Sequence, residues 1–169
     1  VPGSRKQGIV LMKAIQIQPD NSLLWQDTAA PTPAPGEVAI RVHATAINRA
    51  DLMQRAGLYP PPPGASPILG LECAGEISAL GSGVTTWKIG DRVCALLAGG
   101  GYAETLVCPA DHVLPIPAGF SWTEAAALPE VFATAWLNIF MEADAKPGQK
   151  VLLHAGASGV GTAAIQLCK

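Results

Sequence analysis

The sequence predicts a β-rich domain followed by the beginning of an α/β domain, and three observations carry this prediction. Short stretches of alternating apolar and polar residues fill the first two-thirds of the chain, with Gly- and Pro-rich turn signals between them. Helical signals replace them from about residue 120. An apolar segment then runs into a glycine-rich turn and an Ala-rich helix, which is the order of a strand–turn–helix unit.

The β-rich part contains five predicted strands. They cover residues 11–17, 37–45, 75–80, 91–97 and 102–108. Short strands at this spacing favour a small barrel or sandwich. One helix is predicted over residues 48–57, and the run YPPPPG at 59–64 predicts a stiff loop in polyproline II form.

The helical signals after residue 120 begin with a capping box, Ser121 followed three residues later by Glu124. It predicts a short helix over 122–128. Pro129 then suits the first turn of a longer helix over 129–143, where its missing N–H does no harm. KPGQK ends that helix, and residues 150–154 are predicted to form a strand. We expect a leader or cloning remnant over 1–11, a first domain over 12–125 and a second domain beginning over 126–169.

Composition and charge exclude several classes of function. Apolar residues make up 49% of the 169-residue chain and charged residues 14%, which is typical of a folded core rather than disorder. The net charge of −2 and the scattered Lys and Arg argue against nucleic acid or an acidic membrane as the main partner. No apolar run reaches the roughly 20 residues that span a bilayer.

The four cysteines, Cys73, Cys94, Cys108 and Cys168, form no C-x-x-C pair and have no His at metal spacing. They indicate neither a zinc site nor a redox motif. Reduced thiols in a cytoplasmic protein are the favoured interpretation, with disulfides as the open alternative.

The turn GASGVG contains Gly156, Gly159 and Gly161 and is similar to the dinucleotide-binding pattern G-x-G-x-x-G, with Ser158 at the middle position. Glycines at such a turn let the backbone approach a pyrophosphate and let the helix pack close to the strand. The helix N-terminus then offers unpaired N–H groups to the phosphates. The alternative is a plain tight turn. The middle Ser needs a more ordinary backbone conformation than a Gly.

Several segments together resemble one family. They are INRADLMQRAGLYPPPPGASPILGLECAGEI, WKIGDRVCALLAGGGYAE, LPEVFATAW and LLHAGASGVGTAAIQL. In this order they are similar to the quinone oxidoreductases of the medium-chain dehydrogenase/reductase superfamily, most of all to the p53-inducible subgroup. The resemblance covers about residues 12–169. It implies a GroES-like partly open barrel followed by the start of an α/β Rossmann domain.

The zinc-bearing branch of this superfamily uses a Cys and a His as metal ligands. Asn48 and Leu71 stand at the matching places, and neither binds Zn²⁺ as a thiolate or an imidazole does. The resemblance therefore implies transfer of a hydride or electrons from NADPH, with NADH as the alternative, to a small quinone without a metal.

The resemblance also implies site residues. Asn48 is expected near the nicotinamide and Tyr59 beside the substrate, as the candidate catalytic residues. The candidate cofactor contacts are Thr134, Gly156, Ser158, Gly159, Val160 and Gly161. Each side chain also has a plain explanation: Asn48 as a helix N-cap, Tyr59 as a packed ring, and Thr134 bonded back to a carbonyl one turn earlier. Glu72 is either a turn residue or a neighbour of the former metal site.

The strand that would distinguish NADPH from NADH is expected after Lys169. We therefore expect a fragment, a truncated product or a splice form that lacks appreciable dehydrogenase activity alone, and a homodimer for the complete enzyme. One alternative is a non-enzymatic GroES-like module with an interaction or structural role. The other is an enoyl reductase of the same superfamily.

Overall fold

The structure is a computed structural model that describes residues 10–169. Residues 1–9 of the expected leader or cloning remnant lie outside the described residues. Leu11, within the same expected segment, is the first residue of the first strand. The boundary between the two expected domains, at 125/126, stays a prediction.

Seven strands and four α-helices make up the described chain. The strands are β1 (Leu11–Ile17), β2 (Leu23–Ala29), β3 (Glu37–Thr45), β4 (Glu72–Leu80), β5 (Arg92–Leu96), β6 (Thr105–Pro109) and β7 (Val113–Pro115). The helices are α1 (Arg49–Arg55), α2 (Trp122–Ala126), α3 (Pro129–Trp136) and α4 (Gly159–Leu167). A 3₁₀ turn over Ala110–His112 precedes β7, and a π-helical segment over Leu137–Glu142 continues α3.

Five strands form one antiparallel sheet in the order β6–β3–β4–β5–β7. β1 and β2 form a separate antiparallel hairpin, with Ile15 directly opposite Trp25. A bridge between Ala14 and Ala103 joins the hairpin to the segment that precedes β6. The described strands thus form a partly open structure, with β6 and β7 at the edges of the main sheet.

The main core lies on one face of this sheet. Its fully buried members include Val38 and Ile40 of β3, Ile77 of β4 and Val93 of β5. Burial of side chains of this size stabilises the fold by about 1.5–3 kcal/mol each. A second cluster, centred on Ala135, Ile139, Ala163 and Ala164, packs α3 and its π-helical continuation against α4. The small residues let the two helices approach closely.

A stack of three side chains fixes α2 on the sheet. The indole of Trp122 lies parallel to the imidazole of His43, with ring centroids 4.4 Å apart. The Arg92 guanidinium carbon lies 4.1 Å from the Trp122 ring centre, within the range of a cation–π contact. The capping box predicted from Ser121 and Glu124 begins α2, since the Ser hydroxyl accepts from the Glu N–H and the Glu carboxylate accepts from the Ser N–H. Helix α3 begins at Pro129, shortly after α2 ends.

All five predicted strands are confirmed, and the structure adds β2 and β7. The sequence LLWQDTA of β2 is hard to recognise because most of its residues are exposed and no apolar alternation marks it. Three-residue β7 is too short for a periodic signal. Predicted helices 48–57 and 122–128 are confirmed as α1 and α2 with shorter ends, and the predicted helix over 129–143 changes to π-helical geometry at Leu137.

The predicted strand over 150–154 is wrong, because this segment has no strand conformation. Its side chains include Leu152, which is 83% exposed. A strand needs a neighbouring strand to receive its N–H and C=O groups. Within residues 10–169, the seven strands pair with one another, and none of them pairs with residues 150–154. The helix predicted after the glycine turn is confirmed as α4.

The length and the apolar character of a helix decide whether it can cross a membrane. No helix within residues 10–169 is both long enough and apolar enough to cross a bilayer.

Candidate functional site

We use the term sheet domain for the strands β1 to β7 together with α1 and α2. A cleft of about 600 Å³ lies where this sheet domain meets α3 and α4. Its lining includes Asn48 and Glu72 from the sheet domain and Ser158, Gly159 and Val160 from the glycine turn. The structure thus brings one candidate catalytic residue together with three of the candidate cofactor contacts. Its volume is ordinary for a small-molecule site.

Another depression, of about 610 Å³, lies beside the exposed segment 151–153 and includes Asn138 and Ile139. It carries no convergent group of titratable side chains. Part of its apolar wall belongs to the segment 151–153, which lacks a partner strand among the described residues. We therefore place the candidate site in the cleft at Asn48.

Asn48 is the N-cap of α1, with extended backbone angles of φ −108° and ψ 156°. Its backbone N–H donates to Asp51 Oδ2 at 2.8 Å. Its side-chain amide nitrogen donates to Glu72 Oε1, also at 2.8 Å. The plain explanation as a cap residue and the position at the cleft therefore hold together.

Glu72, the first residue of β4, is only 1% exposed. Its Oε2 accepts from the backbone N–H of Glu130 at 2.9 Å, in the first turn of α3. Burial raises the pKa of the Glu72 carboxyl, and the nearby carboxylates of Glu130 and Asp51 raise it further, against hydrogen bonds that lower it. Glu72 is not a turn residue, and it links two parts of the cleft wall.

Asp51 is the second buried carboxylate, at 2% exposure. Its Oδ1 accepts from the Gly70 N–H at 3.1 Å, and its Oδ2 accepts from the Tyr102 hydroxyl at 2.9 Å. Burial, followed by the bond to Asp51, raises the pKa of the Tyr102 phenol. Sequence reasoning did not single out Asp51, although the spacing Asn48-x-x-Asp51 is the signal of a reciprocal cap.

The N-terminus of α4 is built by Ser158. This N-cap residue has extended backbone angles of φ −73° and ψ 165°, which any residue adopts, as expected for a Ser at the middle position. Its Oγ accepts from the Gly161 N–H at 3.0 Å. Such a cap stabilises a helix by about 1 kcal/mol. The N–H groups of the first turn, which a helix cannot satisfy itself, belong to Gly159 and Val160 at the cleft.

Packing explains two of the three glycines in this turn. A Cβ at Gly161 would lie 2.5 Å from the Ala155 carbonyl oxygen, and one at Gly159 would lie 3.0 Å from Val131 Cγ1 of α3. At Gly156 the nearest atom would be Ile165 Cδ1 at 3.9 Å, an ordinary contact. Close helix packing therefore requires Gly161 and favours Gly159, and a role for Gly156 in phosphate binding stays a prediction.

Thr134 and Tyr59 do not line this cleft. The Thr134 hydroxyl donates over 3.4 Å to the Glu130 side-chain carboxylate rather than to a backbone carbonyl one turn earlier. Burial raises the pKa of that Glu130 carboxyl. Tyr59 is 49% exposed in the loop between α1 and β4. Their roles at the nicotinamide and the substrate stay predictions.

The described thiols are free, and three of them are buried: Cys73, Cys94 and Cys108. Burial raises the pKa of all three thiols. Cys168 is exposed. Over residues 10–169, no cluster of three or more His, Cys, Asp or Glu side chains has the arrangement to hold a metal ion.

Comparison with known proteins identifies the first domain. The family model "Alcohol dehydrogenase GroES-like domain" matches residues 34–118. One curated relative is the "Synaptic vesicle membrane protein VAT-1 homolog" of Danio rerio. It is 45% identical over 134 residues, which are 79% of this chain and 28% of the relative.

Solved structures give the same answer for the fold. The human VAT-1 homolog-like protein is 39% identical with a TM-score of 0.86, over 94% of this chain and 52% of that chain. The CurK enoyl reductase is 35% identical with a TM-score of 0.84, over 92% and 50%. The quinone oxidoreductase from Coxiella burnetii is 34% identical with a TM-score of 0.81, over 94% and 53%.

The chain spans about half the length of these solved structures and 28% of the Danio rerio relative. The expected fold, a GroES-like partly open barrel followed by the start of an α/β Rossmann domain, is confirmed. The chain therefore belongs to the alcohol dehydrogenase GroES-like domain family and, through it, to the medium-chain dehydrogenase/reductase superfamily.

Proposed function

We propose that the protein carrying this chain is a zinc-independent, NADPH-dependent quinone oxidoreductase. One observation carries the proposal: the Asn48 amide and the N-terminus of α4 line the same cleft. The Asn48 amide is a polar group able to contact a substrate or the nicotinamide, and the N-terminus of α4 is able to bind a pyrophosphate.

The described residues fit a nicotinamide dinucleotide. The N–H groups of Gly159 and Val160, with the Ser158 hydroxyl, would hold the pyrophosphate, and Asn48 would lie toward the nicotinamide. When bound, the reduced nicotinamide supplies the hydride. NADPH rather than NADH is proposed from the family resemblance.

The Asn48 amide is a hydrogen-bond donor suited to an oxygen that gains charge during reduction, as a quinone oxygen does.

The residues at the positions that hold zinc in the zinc-bearing branch support a reaction without zinc. The Asn48 amide donates to Glu72, and Leu71 offers only a hydrocarbon side chain. The quinone proposal is also supported by similarity to the Coxiella burnetii quinone oxidoreductase.

Cofactor binding is the first test. We expect the fluorescence of NADPH to change saturably when it is titrated with the complete enzyme, at lower concentration than NADH requires. Val160→Glu should weaken NADPH binding at least about tenfold, because its carboxylate would repel the phosphates at the N-terminus of α4 while remaining favourable to the helix itself. Leu114→Glu, which introduces the same carboxylate at an exposed position of β7 outside the cleft, is the control. Absence of any fluorescence change with either cofactor would contradict the proposal and favour a non-enzymatic GroES-like module.

A second candidate is an enoyl reductase, favoured by the similarity to CurK. It shares the cofactor and differs in the acceptor, a conjugated carbon–carbon double bond instead of a quinone. Product identification with a small quinone and a small enone separates the two functions.

Tyr59 provides a test of the substrate side. In the complete enzyme, we expect Tyr59→Phe to lower quinone turnover by about tenfold or more, because a phenol that donates to a developing oxyanion is lost while the ring is kept. Because Tyr59 does not line the cleft, NADPH affinity should stay unchanged in the same variant. Wild-type turnover by the variant would remove the donor role.

The remaining expectations are part of the same proposal. The complete enzyme is proposed to be a cytoplasmic homodimer that acts on a small quinone or enone, with neither nucleic acid nor membrane as a partner. Chromatographic mass measurement with light scattering tests the dimer directly.

A further inference from the structure

The buried Glu72 carboxylate has a geometry that the proposed function does not use. Each of its oxygens accepts one hydrogen bond, from the Asn48 side-chain amide at 2.8 Å and from the Glu130 backbone N–H at 2.9 Å. The first donor belongs to the N-cap of α1, and the second belongs to the first turn of α3. Glu72 therefore connects the two sides of the cleft through a single side chain.

The position of Glu72 is itself fixed. Its backbone carbonyl accepts from the Thr45 hydroxyl at 2.7 Å, and its strand β4 lies between β3 and β5 at the centre of the sheet. The Glu130 N–H belongs to the backbone of the first turn of α3, where it has no acceptor within the helix and is free to donate to Glu72. The Asn48 and Glu72 side chains are the groups with rotational freedom, and their hydrogen bond removes it from both.

A carboxylate is the side chain that this arrangement requires. Two donors approach its two oxygens, and a carboxylate offers acceptors at both. A carboxamide has one acceptor oxygen and one NH₂ group, so Gln at this position would place a donor against either Asn48 or Glu130. The bond also decides the orientation of the Asn48 amide, since its nitrogen must lie on the Glu72 side.

We propose that Glu72 is the positioning residue of the cleft: it fixes the Asn48 amide with one N–H toward Glu72 and holds α3 against the sheet domain. The second N–H of the same amide then remains as a preoriented donor for a carbonyl oxygen of the substrate or the nicotinamide. This inference rests on the proposed function for what Asn48 contacts, and on the described hydrogen bonds for the role of Glu72.

The experiment exchanges donor and acceptor between the two side chains. Glu72→Gln places the new NH₂ group against one of the two donors, the Asn48 amide or the Glu130 N–H. Asn48→Asp places a carboxylate against the Glu72 carboxylate. In the double variant, the carboxylate introduced at position 48 accepts from the amide introduced at position 72, whose oxygen still accepts from the Glu130 N–H, and the formal charge equals that of the wild type. Both single variants should lower the Tm by about 5 °C, and the double variant should recover most of that loss.

Two further readouts separate positioning from a structural role. The side-chain amide resonance of Asn48 in ¹⁵N-labelled protein should shift in Glu72→Gln. It should stay unchanged in the control Glu76→Gln, a partly buried residue of the same strand that pairs with Arg41. In the complete enzyme, quinone turnover should fall about tenfold or more in Glu72→Gln and stay low in the double variant, because the introduced carboxylate presents an acceptor where the Asn48 amide donates.

The Tm values and the Asn48 resonance test the role of Glu72 whether or not the protein reduces quinones. Additive loss of Tm in the double variant, or an unshifted Asn48 resonance in Glu72→Gln, overturns it even when the wild-type protein reduces quinones. Tm recovery with a shifted resonance supports it even when quinone turnover is absent, and in that case the proposed function alone fails.

Discussion

Asp51→Ala is expected to lower the free energy of unfolding by about 3–5 kcal/mol, the largest effect we predict. The carboxylate is 2% exposed and accepts from the Asn48 N–H, the Gly70 N–H and the Tyr102 hydroxyl. Its removal leaves these donors without their acceptor, and each such buried group costs about 1–3 kcal/mol. Urea unfolding followed by circular dichroism measures the loss.

Tyr102→Phe is the matched comparison, because it removes one of the donors and leaves the carboxylate with the other two. We expect a loss of about 1 kcal/mol. If Asp51→Ala were no more destabilising than Tyr102→Phe, the carboxylate would not be the centre of this hydrogen-bond group. The same result would show that other groups hold the loop at Gly70 and the start of α1.

Gly161→Ala is expected to destabilise the chain by about 1–3 kcal/mol, although alanine normally favours a helix interior. The added Cβ would lie 2.5 Å from the Ala155 carbonyl oxygen and 2.7 Å from Gly156 Cα. Both are backbone atoms, so relief requires α4 to move away from the turn. The movement would also displace the N–H groups proposed to bind phosphate, and NADPH titration should show weaker binding together with the loss of stability.

Gly156→Ala in the same turn is the control. Its Cβ would meet only Ile165 Cδ1, at 3.9 Å, and we expect a change in stability of less than about 0.5 kcal/mol. Loss of NADPH binding by this stable variant would assign Gly156 to phosphate contact, as the family resemblance implies. Equal stability of the two variants would contradict the packing explanation for Gly161.

The elements with a strong local signal could be predicted from the sequence. Strands β1 and β3 were predicted at the bounds observed, because apolar alternation follows their burial. The capping box at Ser121 marked α2, and the glycine turn marked α4. The exposed strand β2 had no such signal, because its strand conformation comes from pairing with β1 rather than from burial of one face.

The candidate site could be predicted in part. Asn48 and the residues 158–160 meet at one cleft, as the resemblance implies. Four other candidate site residues lie outside its lining: Tyr59, Thr134, Gly156 and Gly161. Asp51 and the bridging role of Glu72 were not predicted. Their importance depends on burial and on donors as distant in sequence as Gly70, Tyr102 and Glu130, and no local pattern reports such contacts.

The β-rich first part, the helical signals after residue 120 and the glycine-rich turn follow from the sequence alone, because periodicity, capping and turn chemistry act between residues close together in the chain. The superfamily is implied by the resemblance of several segments rather than by these local patterns. Tertiary packing settles which polar side chains are buried together and which glycines have no room for a Cβ. It also settles that residues 150–154 form no strand despite a favourable sequence, since a strand exists only beside a partner. These properties depend on contacts between segments that are distant in the sequence. Such contacts form only when the chain has folded, and hydrogen bonds and excluded volume then determine them.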